Sequence, residues 1–180
     1  RGTPAGALGE AATAMADALR HRGPDGSGLW VDAEAGIALG HRRLAVLDLS
    51  DDAAQPMASP CGRWVLTFNG ELYNYAELSR ELEAKGHRFR GHGDTEVLAA
   101  ALTEWGVRGA VERANAMFAF AAWDRHDRRL YLARDRAGEK PLYYGTIGGG
   151  EFVFGSSLDA LRVHPRFDRP VDRDALSMYF

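Results

Sequence analysis

Asn69-Gly70-Glu71 follows the β-branched and aromatic run Trp64-Val65-Leu66-Thr67-Phe68. An amide side chain, an unshielded glycine N–H and a carboxylate therefore sit together where a buried strand should end. An Asn amide beside a Gly N–H offers two donors for an oxyanion developing in acyl transfer. The same dipeptide is a common turn, and the residues alone leave both accounts open. Arg43 stands in the polar break Gly40-His41-Arg42-Arg43, just ahead of the apolar run 44–47. A guanidinium there can hold a carboxylate through paired N–H donors, or can simply meet a surface aspartate. Glu71 and Asp94 stand at a turn and at a helix start, where Asp94 could equally be an ordinary N-cap. A free amino acid needs one cation for its α-carboxylate and one or two anions for its α-ammonium, all fixed by buried hydrogen bonds. Arg43 with Glu71 and Asp94 supplies that set.

These residues fall in four polar clusters, 21–28, 40–44, 69–74 and 91–96, each beside an expected strand end. Three short strands are read at 37–39, 44–49 and 64–68, the last ending at Asn69-Gly70. A first helix covers 8–19, where Leu8, Ala12, Met15 and Leu19 recur at helical spacing before Arg22-Gly23-Pro24. A second fits 75–85, opened by an Asn74/Glu77 capping box and closed by Gly86. A third starts near Asp94-Thr95, carries Val97, Leu98, Ala101, Leu102 and Trp105 on one side, and stops at Gly106. Two hairpins follow. One joins the apolar 117–123 run to 130–133 through the turn 124–128, and the other joins 142–144 to 152–154 through Gly148-Gly149-Gly150. A closing helix at 157–163 precedes a connector with Pro165 and Pro170, after which Asp172 caps a last helix. Strands and helices come in blocks, which predicts an antiparallel sheet system with helices packed outside it.

Other candidates carry less chemistry. Six histidines show no His-Glu-x-x-His, there is no cysteine pair, and no metal site is expected. Cys61 lies in a Pro-Cys-Gly loop and reads as inert, the glycine triplet lacks the spacing of a dinucleotide cradle, and Phe118, Phe120 and Trp123 read as core. The charged run 134–141 reads as a solvated turn held by internal ion pairs. With 22 Lys and Arg against 25 Asp and Glu in 180 residues, the chain has no electrostatic footprint for nucleic acid or for a membrane surface. A hydrophobic share of 46% and a charged share of 26% are ordinary globular values, which exclude disorder and coiled coil. No apolar stretch reaches the roughly 20 residues of a membrane helix, and a single cysteine forms no internal disulfide, so a cytoplasmic setting is the expectation.

Six stretches in order carry a resemblance. They are His21-Arg22-Gly23-Pro24-Asp25-Gly26-Ser27-Gly28, the segment 40–48 with Gly-His-Arg-Arg-Leu, Phe68-Asn69-Gly70-Glu71-Leu72-Tyr73-Asn74-Tyr75, Asp94-Thr95-Glu96-Val97, Met117-Phe118-Ala119-Phe120-Ala121, and the segment 133–144. Together they resemble the N-terminal glutaminase domain of glutamine-dependent asparagine synthetases, within the class II glutamine amidotransferases. The resemblance implies an α+β fold, a four-layer αββα sandwich of two antiparallel sheets of the N-terminal-nucleophile hydrolase type. It implies that Arg43 binds the glutamine α-carboxylate and that Glu71 and Asp94 bind the α-ammonium. The backbone at Leu44 and Val46 would line the pocket, and Asn69 with Gly70 would form the oxyanion hole. The implied reaction is attack on the side-chain amide by an N-terminal cysteine thiolate, giving a thioester and ammonia, with the α-amine accepting the proton. The domain itself would need no cofactor. A C-terminal synthetase domain would pass the ammonia to aspartate using ATP and Mg²⁺, and the resemblance further implies a homodimer. The implied division is a glutaminase domain at 1–164 lacking its first strand, with 165–180 a connector and the start of the synthetase domain. The nucleophilic cysteine has no counterpart among the 180 residues, which alone are expected to release no ammonia. The alternative is a non-catalytic amidotransferase-like module, of the kind found in β-lactam synthetases or in natural-product or polysaccharide amidotransferases.

Overall fold

A computed structural model describes residues 5–44, 53–168 and 173–178. The chain runs α1 (Ala5–Asp17), β1 (Gly26–Asp32), β2 (Ile37–Arg43), β3 (Met57–Ala58), β4 (Trp64–Leu72), α2 (Tyr75–Ala84) and α3 (Asp94–Arg113). It continues through β5 (Ala116–Asp124), β6 (Arg129–Arg134), β7 (Tyr143–Ile147), β8 (Glu151–Gly155), α4 (Leu158–Arg162) and α5 (Arg173–Ser177). All strand pairs are antiparallel: one sheet has the order β3-β4-β5-β6, and β1–β2 and β7–β8 are separate hairpins.

Alternation along the strands creates the layers. On β4 and β5, Trp64, Leu66, Phe68, Leu72, Phe118, Phe120 and Ala122 turn toward helices α2 and α3 and form the larger core with Leu78, Leu82, Val97, Leu98 and Leu102. The alternate residues Val65, Ala121 and Trp123 meet Leu39 of β2, with Trp30, Ile37 and Phe154 packed against them. Helix α1 covers the outer side of β1 and β2, and α4 packs on β8 and α1. Gly40 allows that contact, because a Cβ there would lie 2.9 Å from the Ala12 carbonyl oxygen and 3.2 Å from the Ala16 Cβ. The result is the expected α+β, four-layer αββα stack.

Several local expectations change. The strand expected to end at Asn69-Gly70 continues to Leu72, in unbroken register with Ala119, Phe118, Met117 and Ala116. Asn69-Gly70 is therefore strand rather than turn. Gly106 (φ 68°, ψ 178°) kinks α3 without ending it, and helix resumes to Arg113. Asn74 sits at the N-cap position of α2, but its side chain makes no cap bond. Instead its amide donates to the Arg113 carbonyl at 3.0 Å and accepts from the Asn115 N–H at 3.0 Å, tying α2 to the turn before β5. Strands β1 and β3 were not foreseen. Of the strand expected at 44–49, only Leu44 is among the described residues, and it is exposed beyond the end of β2. Asp172 also lies outside them, although the helix it was expected to cap is present as α5.

Among the described residues, no ion pair holds the run 134–141. The buried Asp135 carboxylate accepts from the N–H groups of Glu139 (3.0 Å), Phe118 (3.1 Å) and Lys140 (3.3 Å). These bonds to the charged form, the Glu139 N–H foremost, pull its carboxyl down to about 2. A depressed folded pKa gives stability that is present above the ordinary Asp value of about 4 and lost as pH falls toward about 2. Asp135→Asn should therefore melt below the wild type at pH 7, with the gap closing between about pH 4 and pH 2. Thermal melts at stepped pH check this, and a gap that stays constant with pH would contradict it.

Candidate functional site

Strand β2 divides the Gly40-His41-Arg42-Arg43 segment between two environments. Ile37, Leu39, His41 and Arg43 share the face toward the four-stranded sheet, and Gly40 and Arg42 turn toward α1. Arg42 is spent on structure: its side chain is 8% exposed, pairs with Asp17 at 3.5 Å and donates to the Gly23 carbonyl at 3.2 Å. Arg43 is placed by β1. It pairs with Gly26 in the ladder, and its carbonyl accepts from the Asp25 N–H at 2.9 Å. The stretch 21–28 thus works as a brace behind Arg43. At Gly23 any Cβ would collide with the Arg42 backbone.

On β4 the face shared with Val65 carries Thr67, Asn69 and Glu71 into the space between the layers. Their neighbours across β5 include the small Ala119 and Ala121, which leave room that a larger side chain would fill. Gly70 points the other way, where a Cβ would collide with the Met117 carbonyl and lie 2.9 Å from the Phe118 Cα. Position 70 therefore has to be glycine for backbone packing, whatever else its N–H does.

Asp94 is the first residue of α3, after an N-cap glycine, Gly93. The residue is 9% exposed, and its carboxylate accepts from the Leu72 N–H at 2.9 Å, with the Thr95 hydroxyl 3.5 Å away. This bond pins the helix start to the end of β4 and brings Asp94 beside Glu71. Burial pushes the Asp94 carboxyl above its ordinary value and the charge of Glu71 adds to that, against the opposing bonds from Leu72 and Thr95. Gln55 completes the link: its carbonyl oxygen accepts from the Phe68 N–H at 2.6 Å, and its amide donates to the Thr95 hydroxyl at 3.2 Å.

A cavity of about 990 Å³ opens between the layers, and Arg43, Leu44, Asn69, Gly70, Glu71 and Asp94 all line it. Every described residue expected at the site is therefore brought together, while Val46 lies outside the described residues. Gln55, Thr95, His41 and Thr67 also line the cavity and were not foreseen. A His41-Arg42-Arg43 triplet on a strand could have signalled His41 by alternation, but nothing in the sequence marks Gln55. Cys61 is exposed in the turn before β4, beside the hydroxyls of Ser59 (3.3 Å) and Thr103 (3.7 Å), and it does not line the cavity. Partial burial pushes its thiol pKa up, but the bonds from Ser59 and its neighbours outweigh that and lower it. Among the described residues, no group of three or more His, Cys, Asp or Glu could hold a metal ion.

Among the residues lining this hollow, Arg43, the neighbouring carboxylates of Glu71 and Asp94 and the Asn69-Gly70 pair are the set that a zwitterion with a reacting side-chain amide requires. A family model described as the glutamine amidotransferase domain matches residues 3–180. The chain belongs to this family. It is 44% identical over 168 residues to asparagine synthetase [glutamine-hydrolyzing] 3 of Bacillus subtilis (strain 168), covering 92% of this chain and 26% of that protein. It is 41% identical over 194 residues to a putative asparagine synthetase [glutamine-hydrolyzing] of Mycobacterium tuberculosis (strain ATCC 25618 / H37Rv), covering 98% and 29%. The amidotransferase domain thus spans about a quarter of the length of the curated relatives it matches. Among solved structures it superposes on the glutamine phosphoribosylpyrophosphate amidotransferase of B. subtilis with a TM-score of 0.73, over 90% of this chain and 42% of that one. At 23% identity that likeness concerns the fold.

Proposed function

We propose that the cavity binds free L-glutamine and positions its side-chain amide for acyl transfer. Arg43 holds the α-carboxylate, Glu71 and Asp94 hold the α-ammonium, and the backbone at Leu44 and Val46 forms the wall. The Asn69 amide and the Gly70 N–H stabilise the oxyanion as the amide carbon becomes tetrahedral. Collapse of that intermediate expels ammonia and leaves a cysteinyl thioester, which water then hydrolyses to glutamate. The attacking thiol is not one of the residues gathered here, and Cys61 has neither the position nor a free α-amine to act as it. The observation that carries the reading is the convergence of Arg43, Asn69, Glu71 and Asp94, from β2, β4 and α3, on one cavity.

On the same reading, 1–164 is the glutaminase domain, and 165–180 leads toward a synthetase part that uses ATP and Mg²⁺ to amidate aspartate in the cytoplasm of the cell. The similarity to glutamine-hydrolysing asparagine synthetases over more than nine-tenths of the chain supports this assignment. A homodimer belongs to the same proposal. Calorimetric titration with L-glutamine, with glutaramate (no ammonium) and with 4-aminobutanamide (no carboxylate) tests the cradle. Only L-glutamine should bind tightly, and equal affinity for either truncated ligand would overturn the assignment of that end.

The raised Asp94 carboxyl gives the cradle a pH signature. Its ionised form receives the ammonium, so glutamine affinity should fall at a pH above the ordinary Asp range of about 4 as the solution is acidified. Stability moves the other way. A raised folded pKa means that the empty site is relieved as pH falls through it, and that ionised Asp94 burdens the fold at neutral pH. Asp94→Asn should therefore abolish binding while melting no lower than the wild type at pH 7. Loss of both together would make Asp94 a structural residue only.

A further inference from the structure

The proposed carboxylate anchor and oxyanion donor stand on strands that share no backbone ladder: Arg43 on β2 and Asn69 on β4. Their separation therefore depends on side chains crossing between the layers. His41 and Thr67 make such a crossing, with Nδ1 and Oγ1 2.8 Å apart. Both line the cavity. His41 precedes Arg43 by two residues on the same face of β2, and Thr67 precedes Asn69 by two on the same face of β4. The bond thus sits one rung, about 7 Å of strand, behind both the carboxylate anchor and the oxyanion donor. Burial, and secondarily the charge of Arg43, hold the imidazole at about 4. At neutral pH the ring is uncharged and leaves Arg43 as the cation facing the ligand.

We propose that the His41–Thr67 hydrogen bond is a spacer that fixes the distance from the carboxylate anchor to the oxyanion pair, and so sets the length of side chain the cavity processes. The proposal rests on the glutamine reading above. His41 and Thr67 are positioning residues: they act on the reacting amide through Arg43 and Asn69. A single methylene separates glutamine from asparagine, and apolar burial alone discriminates one methylene by only about 10- to 200-fold. A fixed span between two polar anchors adds to that, because a shorter ligand held at one end leaves the other unpaired. Misplacement by about 1 Å costs on the order of a hundredfold in rate, so a loosened spacer is measurable.

The test measures ammonia release by a full-length protein that supplies the attacking thiol, from L-glutamine and L-asparagine, for wild type, His41→Ala, His41→Asn, Thr67→Val and the double variant His41→Ala/Thr67→Val. Each single removal should lower kcat for glutamine about tenfold, with KM within about twofold, and should reduce the preference for glutamine over asparagine by a similar factor. The double variant should be no worse than either single one, since both delete the same bond. His41→Asn, whose amide can still reach Thr67, should keep most of the preference. Folded variants with an unchanged preference, or additive losses in the double variant, would overturn the spacer. If His41→Ala does not fold, Thr67→Val, close in shape, carries the same test. A wild type that releases no ammonia from glutamine would instead sink the reading of the cavity itself.

Discussion

Arg43→Ala is expected to weaken glutamine binding by about 2–5 kcal/mol, a factor of roughly 30 to several thousand, because it leaves the ligand's α-carboxylate desolvated and unpaired. The effect should appear in KM, with kcat less affected, since the carboxylate is held equally in ground and transition states. Arg43→Lys should recover part of the loss, because an ammonium restores charge without the two-pronged geometry of a guanidinium. Folding should survive both substitutions. Arg43 contributes to β2 through backbone pairing with Gly26 and a carbonyl bond from Asp25, which any side chain preserves. Its neighbour provides the control. Arg42, buried against Asp17 and Gly23, should cost stability when truncated and leave KM nearly unchanged. Steady-state kinetics with thermal melts separates the two arginines, and a KM effect at Arg42 rather than Arg43 would invert the alternation on which the site is built.

That contrast shows what the sequence could and could not tell. Residue types and their order marked Arg43, Asn69, Glu71 and Asp94, because a zwitterion's charges demand complementary groups and few positions offered them. Strands and helices arriving in blocks pointed to antiparallel sheets with helices outside them, and the family resemblance supplied the four-layer αββα order. What escaped was decided across the fold rather than along the chain. Asn-Gly reads locally as a turn, yet β5 runs alongside it close enough that only a glycine fits at 70, and the ladder carries β4 through to Leu72. Asp135 looked like one charge among many in a solvated run. Its three backbone donors become visible only once the loop folds back on Phe118. Asn74 had the sequence of a cap, but the turn before β5 claimed its amide first. Gln55 binds β4 and α3 together from a stretch with no pattern of its own.

The continuation of β4 through Asn69 also makes the second large effect readable. Were Asn69 a turn residue, Asn69→Ala would act on stability and Asn69→Asp would be tolerated, since Asp serves turns as well. In a strand, with its side chain in the cavity opposite the small Ala119, Asn69 carries little of the packing. In a full-length enzyme that supplies the attacking thiol, Asn69→Ala should then lower kcat for glutamine hydrolysis about a hundredfold to a thousandfold, with KM and melting temperature nearly unchanged. Asn69→Asp should fare worse still, since it sets a negative charge against the oxyanion while preserving shape. Gly70 offers no matching substitution, because its donor is the backbone and a Cβ collides with the Met117 carbonyl; Gly70→Ala should lose stability and activity together. Stopped-time ammonia assays with melts on the same preparations decide the matter. An Asn69→Ala protein that melts early but turns over normally per folded molecule would remove Asn69 from the chemistry and leave the cavity a binding site without its oxyanion donor.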